Sequence, residues 1–163
     1  MLVDIQRMLK SEIKIMITGG GSGGHISVAK TVIDSLIQDY DIPTANIMYV
    51  GGDLGMEGEN KGNSLEQKQF KDAQFKTEYI RAGKLQRKLS FNSLSLLLRS
   101  VLGLFDSLKI VKKFNPSLIL SSGGFVSVPV CMAGFFYRKP IYLHEQTATV
   151  GLSNKIIGKF AKK

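Results

Sequence analysis

From Ile13 to Lys30 the chain reads IKIMITGGGSGGHISVAK. An apolar, β-prone run stops at Thr18, five glycines and one serine fill the next six positions, and a helical pattern starts beside His25. Such a stretch is constrained to a strand, a tight turn and a helix N-terminus in direct succession, the opening unit of an α/β sheet. The rest of the chain repeats the alternation. IKIMIT (13–18) is followed by an apolar helical period through Val28, Val32, Leu36 and Ile37, and then come NIMYVGG (46–52), FKTEYIRA (75–82), SLILSSGG (117–124) and PIYLHEQ (140–146). Short apolar runs without strict alternation are strands buried on both faces, so the fold class is α/β, a parallel sheet with helices on both faces. The polar stretch 53–72 reads as a loop plus a short helix. Ligands of an open parallel sheet collect at the carboxyl ends of its strands. Three ends carry unusual residues: Gly19 to His25, Ser121 to Phe125, and His144 to Thr147. They are expected to meet in one crevice.

A strand, a glycine turn and a helix start present unpaired backbone N–H groups and the positive end of the helix dipole to one spot, which favours phosphate. A tight turn holding no ligand is the plain alternative, although five glycines exceed what a turn needs. Gly19, Gly21 and Gly24 satisfy G-x-G-x-x-G, but a dinucleotide site wants an acidic residue about 20 positions on. Asp53 lies too far along, and no Lys-Ser or Lys-Thr follows the last glycine, so both a nicotinamide site and a triphosphatase P-loop are disfavoured. A phosphate cradle ending in a histidine remains. The dipole disfavours a cationic His25, leaving a neutral imidazole suited to take a proton from a hydroxyl; the alternative is a histidine bonded to backbone for structural reasons. SSGGFVSVPV (121–130) repeats the strand, glycine and helix design, as two anionic groups or a diphosphate would require.

At 163 residues the chain is one domain's worth, with 1–12 as an N-terminal extension and 13–163 as the folded unit. Its formal net charge of +9 asks for an anionic partner: nucleic acid, an anionic bilayer or a phosphorylated small molecule. Cys131, the single cysteine, excludes an internal disulfide framework and fits a reducing compartment as a small buried thiol. The first twelve residues have no continuous apolar core and no stretch approaches the roughly 18 apolar residues of a membrane span, so membrane contact is expected to be peripheral. Within 83–114, Leu94, Leu97, Leu98, Val101, Leu102, Phe105 and Leu108 follow helical spacing, and most of them read as core. Leu85, Leu89 and Phe91 sit instead beside Lys84, Arg87, Lys88 and Arg99, a composition suited to an anionic membrane surface at about 1 kcal/mol per basic residue. An exposed basic loop is the plain alternative. Nucleic acid is disfavoured, because the aromatics do not interleave with the basic residues and no zinc, helix-turn-helix or RNP pattern occurs.

Taken together, GGGSGGH, GMEGE, IRAGKLQRK, ILSSGGFVSVPV, PIYLHEQTATVGLSNKI and FAKK, in this order and spacing, resemble the N-terminal domain of the MurG family of bacterial N-acetylglucosaminyltransferases, from about Ile13 to Lys163. The resemblance implies a Rossmann-like domain, the N-terminal half of a GT-B glycosyltransferase, with no cofactor and no metal. It implies an inverting transfer of N-acetylglucosamine from UDP-N-acetylglucosamine to the polyprenyl-diphosphate acceptor lipid I, giving lipid II for peptidoglycan, at the cytoplasmic face of the membrane. By motif, His25 is the candidate base. Ser22, Gly23, Gly24 and Thr147 fall on the donor side of the cleft, and Gly20, Gly21, Gly123, Gly124 and Phe125 fall on the acceptor diphosphate. Glu145, Gln146 and Asn154 line the cleft, and Leu85, Arg87, Lys88, Leu89 and Phe91 dock on the membrane.

Ser22 replaces the family's usual threonine, Thr147 its asparagine after His-Glu-Gln, and Ser27 and Val28 stand where a proline often follows the histidine. UDP-N-acetylglucosamine is bound mainly by a C-terminal domain that does not follow Lys163, so this half is expected to hold acceptor and to be inactive without the donor domain. A non-catalytic membrane-surface subunit of a split transferase, acting on another polyprenyl-diphosphate sugar, is the alternative.

Overall fold

The computed structural model describes residues 12–53, 64–82 and 91–162, and over 91–99 the backbone alone. Five parallel strands form one sheet: β1 (Ile15–Gly19), β2 (Ile47–Gly52), β3 (Lys76–Ile80), β4 (Leu118–Gly123) and β5 (Ile141–Leu143), in the order β3-β2-β1-β4-β5. The helices are α1 (Gly23–Gln38), α2 (Leu65–Gln69), α3 (Phe91–Phe114), α4 (Ser127–Phe136) and α5 (Leu152–Ile157). This is the Rossmann-like order, and its direction reverses between β1 and β4. A crevice opens at such a switch point because the crossover helices on either side lead away to opposite faces.

Each central strand is apolar at successive positions because both faces are covered. Ile15 and Ile17 of β1 and Ile47 and Tyr49 of β2 pack under Ile26, Ala29 and Ile33 of α1. Met16, Met48 and Val50 point the other way, into a core with Val111 and Phe114 of α3, Val130 and Ala133 of α4, and Ile157 of α5. The edge strand β3 alternates exposed Lys76 and Glu78 with half-buried Thr77 and Tyr79, while the three-residue edge β5 exposes only Tyr142. Cys131 is fully buried, and that burial pushes its thiol up to about 12, so it is an inert core residue.

Of the apolar stripe expected on α3, Leu108 packs against the core but Val101, Leu102 and Phe105 do not, and the side chains of Leu94, Leu97 and Leu98 lie outside the described residues. Val101, Leu102 and Phe105 are 48%, 41% and 56% exposed, while the buried face runs through Gly103, Ser107, Val111 and Phe114. Close approach decides this. A Cβ on Gly103 would stand 2.0 Å from the Arg81 carbonyl oxygen, so only glycine lets α3 lie against the end of β3. Ser107 can enter the interface because its hydroxyl donates back to Gly103 O at 2.7 Å. Arg81 then clamps the helix through Asp106, with Nε and Nη2 at 2.8 and 2.6 Å from its two carboxylate oxygens.

Replacing an interior helical glycine by alanine ordinarily adds nearly 1 kcal/mol of stability. Gly103→Ala is expected to do the reverse and remove about 1–3 kcal/mol by overpacking. Urea unfolding checks the sign; a raised midpoint would contradict the packing described.

Candidate functional site

The C-terminal ends of β1 and β4 interlock. The Gly20 amide donates to Gly123 O at 3.3 Å. A Cβ on Gly124 would fall 2.0 Å from Gly20 O and 3.1 Å from the His25 ring, and one on Gly21 would fall 2.0 Å from the Phe125 ring. Gly21, Gly123 and Gly124 all have positive φ, at 80°, 92° and 88°. These positions therefore demand glycine for backbone conformation and for mutual contact alike. The Gly21 amide is held from below by Glu66 Oε1 at 2.7 Å. Glu66 is fully buried and reaches that place because α2 begins in a capping box, Ser64 with Gln67, whose serine hydroxyl also bonds Gly52 O at the end of β2.

Gly23 and Gly24 are different. They form the first turn of α1, and a Cβ on either would meet nothing within 4 Å. Glycine is a poor helix former, so neither conformation nor packing calls for it at these two positions. What the two glycines preserve is open space at the positive end of a sixteen-residue helix. Ser22 occupies the cap position without a side-chain capping bond, so the first-turn amides are not covered by their own cap residue. With the Gly20 and Gly21 amides already engaged internally, an anion at this loop would face the amides of the α1 first turn.

His25 stands where the loops meet. Register between β1 and β4 shifts after Thr18, which pairs with Ser121, because Gly19 pairs with Gly123 and leaves Ser122 as an extra residue. A bulge re-aims the groups it carries. Here it turns the Ser122 carbonyl to within 2.8 Å of His25 Nδ1 and lets the Ser122 hydroxyl donate to His25 O, also at 2.8 Å. The ring is half-buried, and the Gln146 amide group reaches the same Nδ1 at 2.5 Å from the loop after β5.

Glu145, next to Gln146, organises that loop. Its carboxylate accepts from the Thr147 amide at 3.0 Å, the Thr147 hydroxyl at 2.6 Å, the Gly151 amide at 3.2 Å and Asn154 Nδ2 at 2.7 Å. The Thr147 hydroxyl bond, more than any other of these, holds the carboxyl down at about 2. So anchored, Glu145 is a poor base and a good strut. Thr147 is engaged by it and lies exposed. Asn154 is buried against Gly123, with its Oδ1 lacking any partner among the described residues.

Gly20, Gly21, His25, Gly123, Gly124, Phe125, Gln146 and Asn154 thus touch one another at the ends of β1, β4 and β5, Ser22, Gly23 and Gly24 join that cluster through the chain before His25, and Glu145 and Thr147 follow in the loop that carries Gln146. Leu85, Arg87, Lys88 and Leu89 lie outside the described residues, as does the side chain of Phe91. Sequence reading missed Glu66 and the Ser122 carbonyl. The S-x-x-Q spacing of Ser64 and Gln67 is a capping-box signal that could have fixed the start of the short helix, but nothing in the sequence ties Glu66 to a glycine 45 positions away.

Residues 15–163 match the glycosyltransferase family 28 N-terminal domain. Over 156 residues the chain is 36% identical to the UDP-N-acetylglucosamine–N-acetylmuramyl-(pentapeptide) pyrophosphoryl-undecaprenol N-acetylglucosamine transferase of Caldicellulosiruptor saccharolyticus, covering 96% of this chain and 39% of that protein. The enzyme of the same description from Staphylococcus epidermidis is 40% identical over 150 residues, covering 92% and 39%. Among solved structures, the MurG of Acinetobacter baumannii superposes with a TM-score of 0.72 at 22% identity, over 92% of this chain and 40% of that one, a likeness of fold. The chain spans about two fifths of the length of these relatives.

Two outcomes follow from the site's geometry. Gly23→Ala and Gly24→Ala are expected to leave stability unchanged or raise it by up to about 1 kcal/mol, whereas Gly124→Ala is expected to lower it by more than 1 kcal/mol. Thermal or urea unfolding of the three variants would contradict this if all behaved alike. Glu145, held at about 2 in the folded chain, compares with about 4.3 for an unperturbed glutamate. Its stabilising contribution is therefore full above the higher value and lost as pH falls toward the lower one, so Glu145→Gln should flatten the acid limb of a stability profile.

Proposed function

Since the chain belongs to the glycosyltransferase family 28 N-terminal domains, we propose that it is the acceptor-binding half of an inverting glycosyltransferase. The transfer takes N-acetylglucosamine from UDP-N-acetylglucosamine to lipid I and yields lipid II. The observation that carries this reading is the meeting of two glycine loops on one histidine at the switch point of the sheet, beside a helix start kept open by Gly23 and Gly24.

In an inverting transfer the acceptor hydroxyl oxygen attacks the anomeric carbon from the side opposite the nucleotide. The bond to the UDP oxygen breaks, and the hydroxyl proton passes to a base. His25 is that base, and Glu145, pinned as a low-pKa carboxylate, is not. Negative charge gathers on the leaving UDP, and the positive end of α1 with the open amides of Gly23 and Gly24 lies on the donor side of the cleft to oppose it. Ser22 keeps a hydroxyl there, and Thr147 edges the same side. Gly123, Gly124 and Phe125, packed on Gly20 and Gly21, form the wall against which the acceptor diphosphate lies. Most of the donor is bound by a C-terminal domain, and this half alone holds acceptor without turning over.

The acceptor is anchored in a bilayer, and the surface chemistry suits approach to one. Phe135 and Phe136, 59% and 71% exposed, border a groove of about 980 Å³ rimmed by Arg138, Lys139 and Lys162. Apolar rings among basic side chains match an anionic interface. Among the described residues no helix is long and apolar enough to cross a membrane. The working position is the cytoplasmic face, held peripherally.

Co-sedimentation with anionic vesicles tests the reading. Binding is expected to tighten when the vesicles carry a polyprenyl-diphosphate acceptor, and to fall at least tenfold in a Phe135→Asp, Phe136→Asp double variant. Binding indifferent to both acceptor and substitutions would leave bulk charge as its only cause and overturn the proposal.

A further inference from the structure

His25 Nδ1 has two close polar neighbours, Ser122 O at 2.8 Å and the Gln146 amide nitrogen at 2.5 Å, while Gln146 Oε1 is buried with no partner among the described residues. A carbonyl oxygen only accepts, so Nδ1 facing Ser122 O must carry a hydrogen. An Nδ1–H cannot also accept from an amide N–H, and two donors at 2.5 Å repel. Turning the Gln146 amide by 180° exchanges its oxygen and nitrogen at almost no change in shape. The conflict at Nδ1 is then removed, and the NH2 group takes the buried position, where an enclosed oxygen rather than the His25 ring would be its partner.

We propose that Gln146 presents its Oε1 to His25, so that Gln146 and the Ser122 carbonyl jointly hold the proton on Nδ1 and leave the lone pair on Nε2. Gln146 is thus a positioning residue for the base. The proposal rests on the reading of His25 as the base for its meaning, but its geometry rests only on the bulge at Ser122 and the loop held by Glu145. The bonding at one ring nitrogen sets which nitrogen is free. Here both acceptors are fixed by structure: Ser122 by the register shift between β1 and β4, and Gln146 by the neighbouring Glu145, whose four accepted bonds prevent the loop from swinging away.

The test is the ring tautomer of His25 in the whole chain, read from long-range ¹⁵N–¹H correlations at about pH 8.5, well above the ordinary histidine value. His144→Gln assigns the signals. The expected pattern is a protonated, pyrrole-type Nδ1 and a pyridine-type Nε2. Gln146→Glu retains an acceptor oxygen and should keep that pattern, whereas Gln146→Leu should lower the ratio of Nδ1–H to Nε2–H about fivefold, the worth of one hydrogen bond. A pyridine-type Nδ1 in the unsubstituted chain would overturn the proposal. So would a tautomer ratio that neither substitution moves. If Gln146→Leu does not fold, the unsubstituted chain and Gln146→Glu still decide. No acceptor or donor is present in this measurement, so an Nδ1–H pattern together with failed vesicle binding would sink the transferase reading and leave this inference standing, and the converse pair of results would do the opposite.

Discussion

The contact between the Gly20 and Gly124 backbones is what the site depends on. Two crossover units, β1 to α1 and β4 to α4, begin side by side and must diverge to opposite faces, and any side chain at the junction would force them apart. A Cβ on Gly124 would overlap the Gly20 carbonyl, and one on Gly21 would overlap Phe125. With both positions bare, the Gly20 amide reaches Gly123 O, the strand ends close up, and Ser122 bulges toward α1. The position of His25 is a consequence of that closure, since Ser122 holds the histidine at both its ring and its carbonyl.

Around this joint the polar groups divide into those that build and those left open. Glu66 and Glu145 are both carboxylates beside the crevice, and both are engaged: one under the Gly21 amide, the other in four bonds that shape the loop from Thr147 to Asn154. Among the described residues, the open groups are the first-turn amides of α1, the second ring nitrogen of His25, and the unpartnered buried oxygens of Gln146, Asn154 and Glu66 Oε2. An arrangement in which acids brace and amides and imidazole face the cleft suits a ligand that brings negative charge and a hydroxyl to be deprotonated.

Much of this was legible in the sequence, for definite reasons. Strands such as IKIMIT and NIMYVGG announce themselves because burial on both faces demands unbroken apolar runs, and the glycine clusters mark strand ends because few other residues tolerate those turns. Most boundaries moved inward by one or two residues where the chain turns out of the sheet, β1 runs one residue further, to Gly19, and the largest shift is three residues at β5, which ends at Leu143 as the Glu145 loop takes over. The face of α3 was not legible. Periodicity located a stripe of Leu, Val and Phe, but Gly103 and Ser107, small residues that permit close approach, determined which side is buried. Glu66 was equally hidden, because a single carboxylate gives no sign of a partner 45 residues away. Nor could glycine content alone separate Gly23 and Gly24, which guard space, from Gly21 and Gly124, which fill it.

The most direct test of the central claim is a backbone-amide NMR titration of the chain with a short-chain polyprenyl diphosphate, with polyprenyl alcohol as the control. The account predicts that the diphosphate shifts the amides of Gly20 and Gly21 together with those of Gly123, Gly124 and Phe125, while the alcohol moves neither loop. Shifts confined to the basic surface around Arg138 and Lys139, with both glycine loops silent, would contradict it.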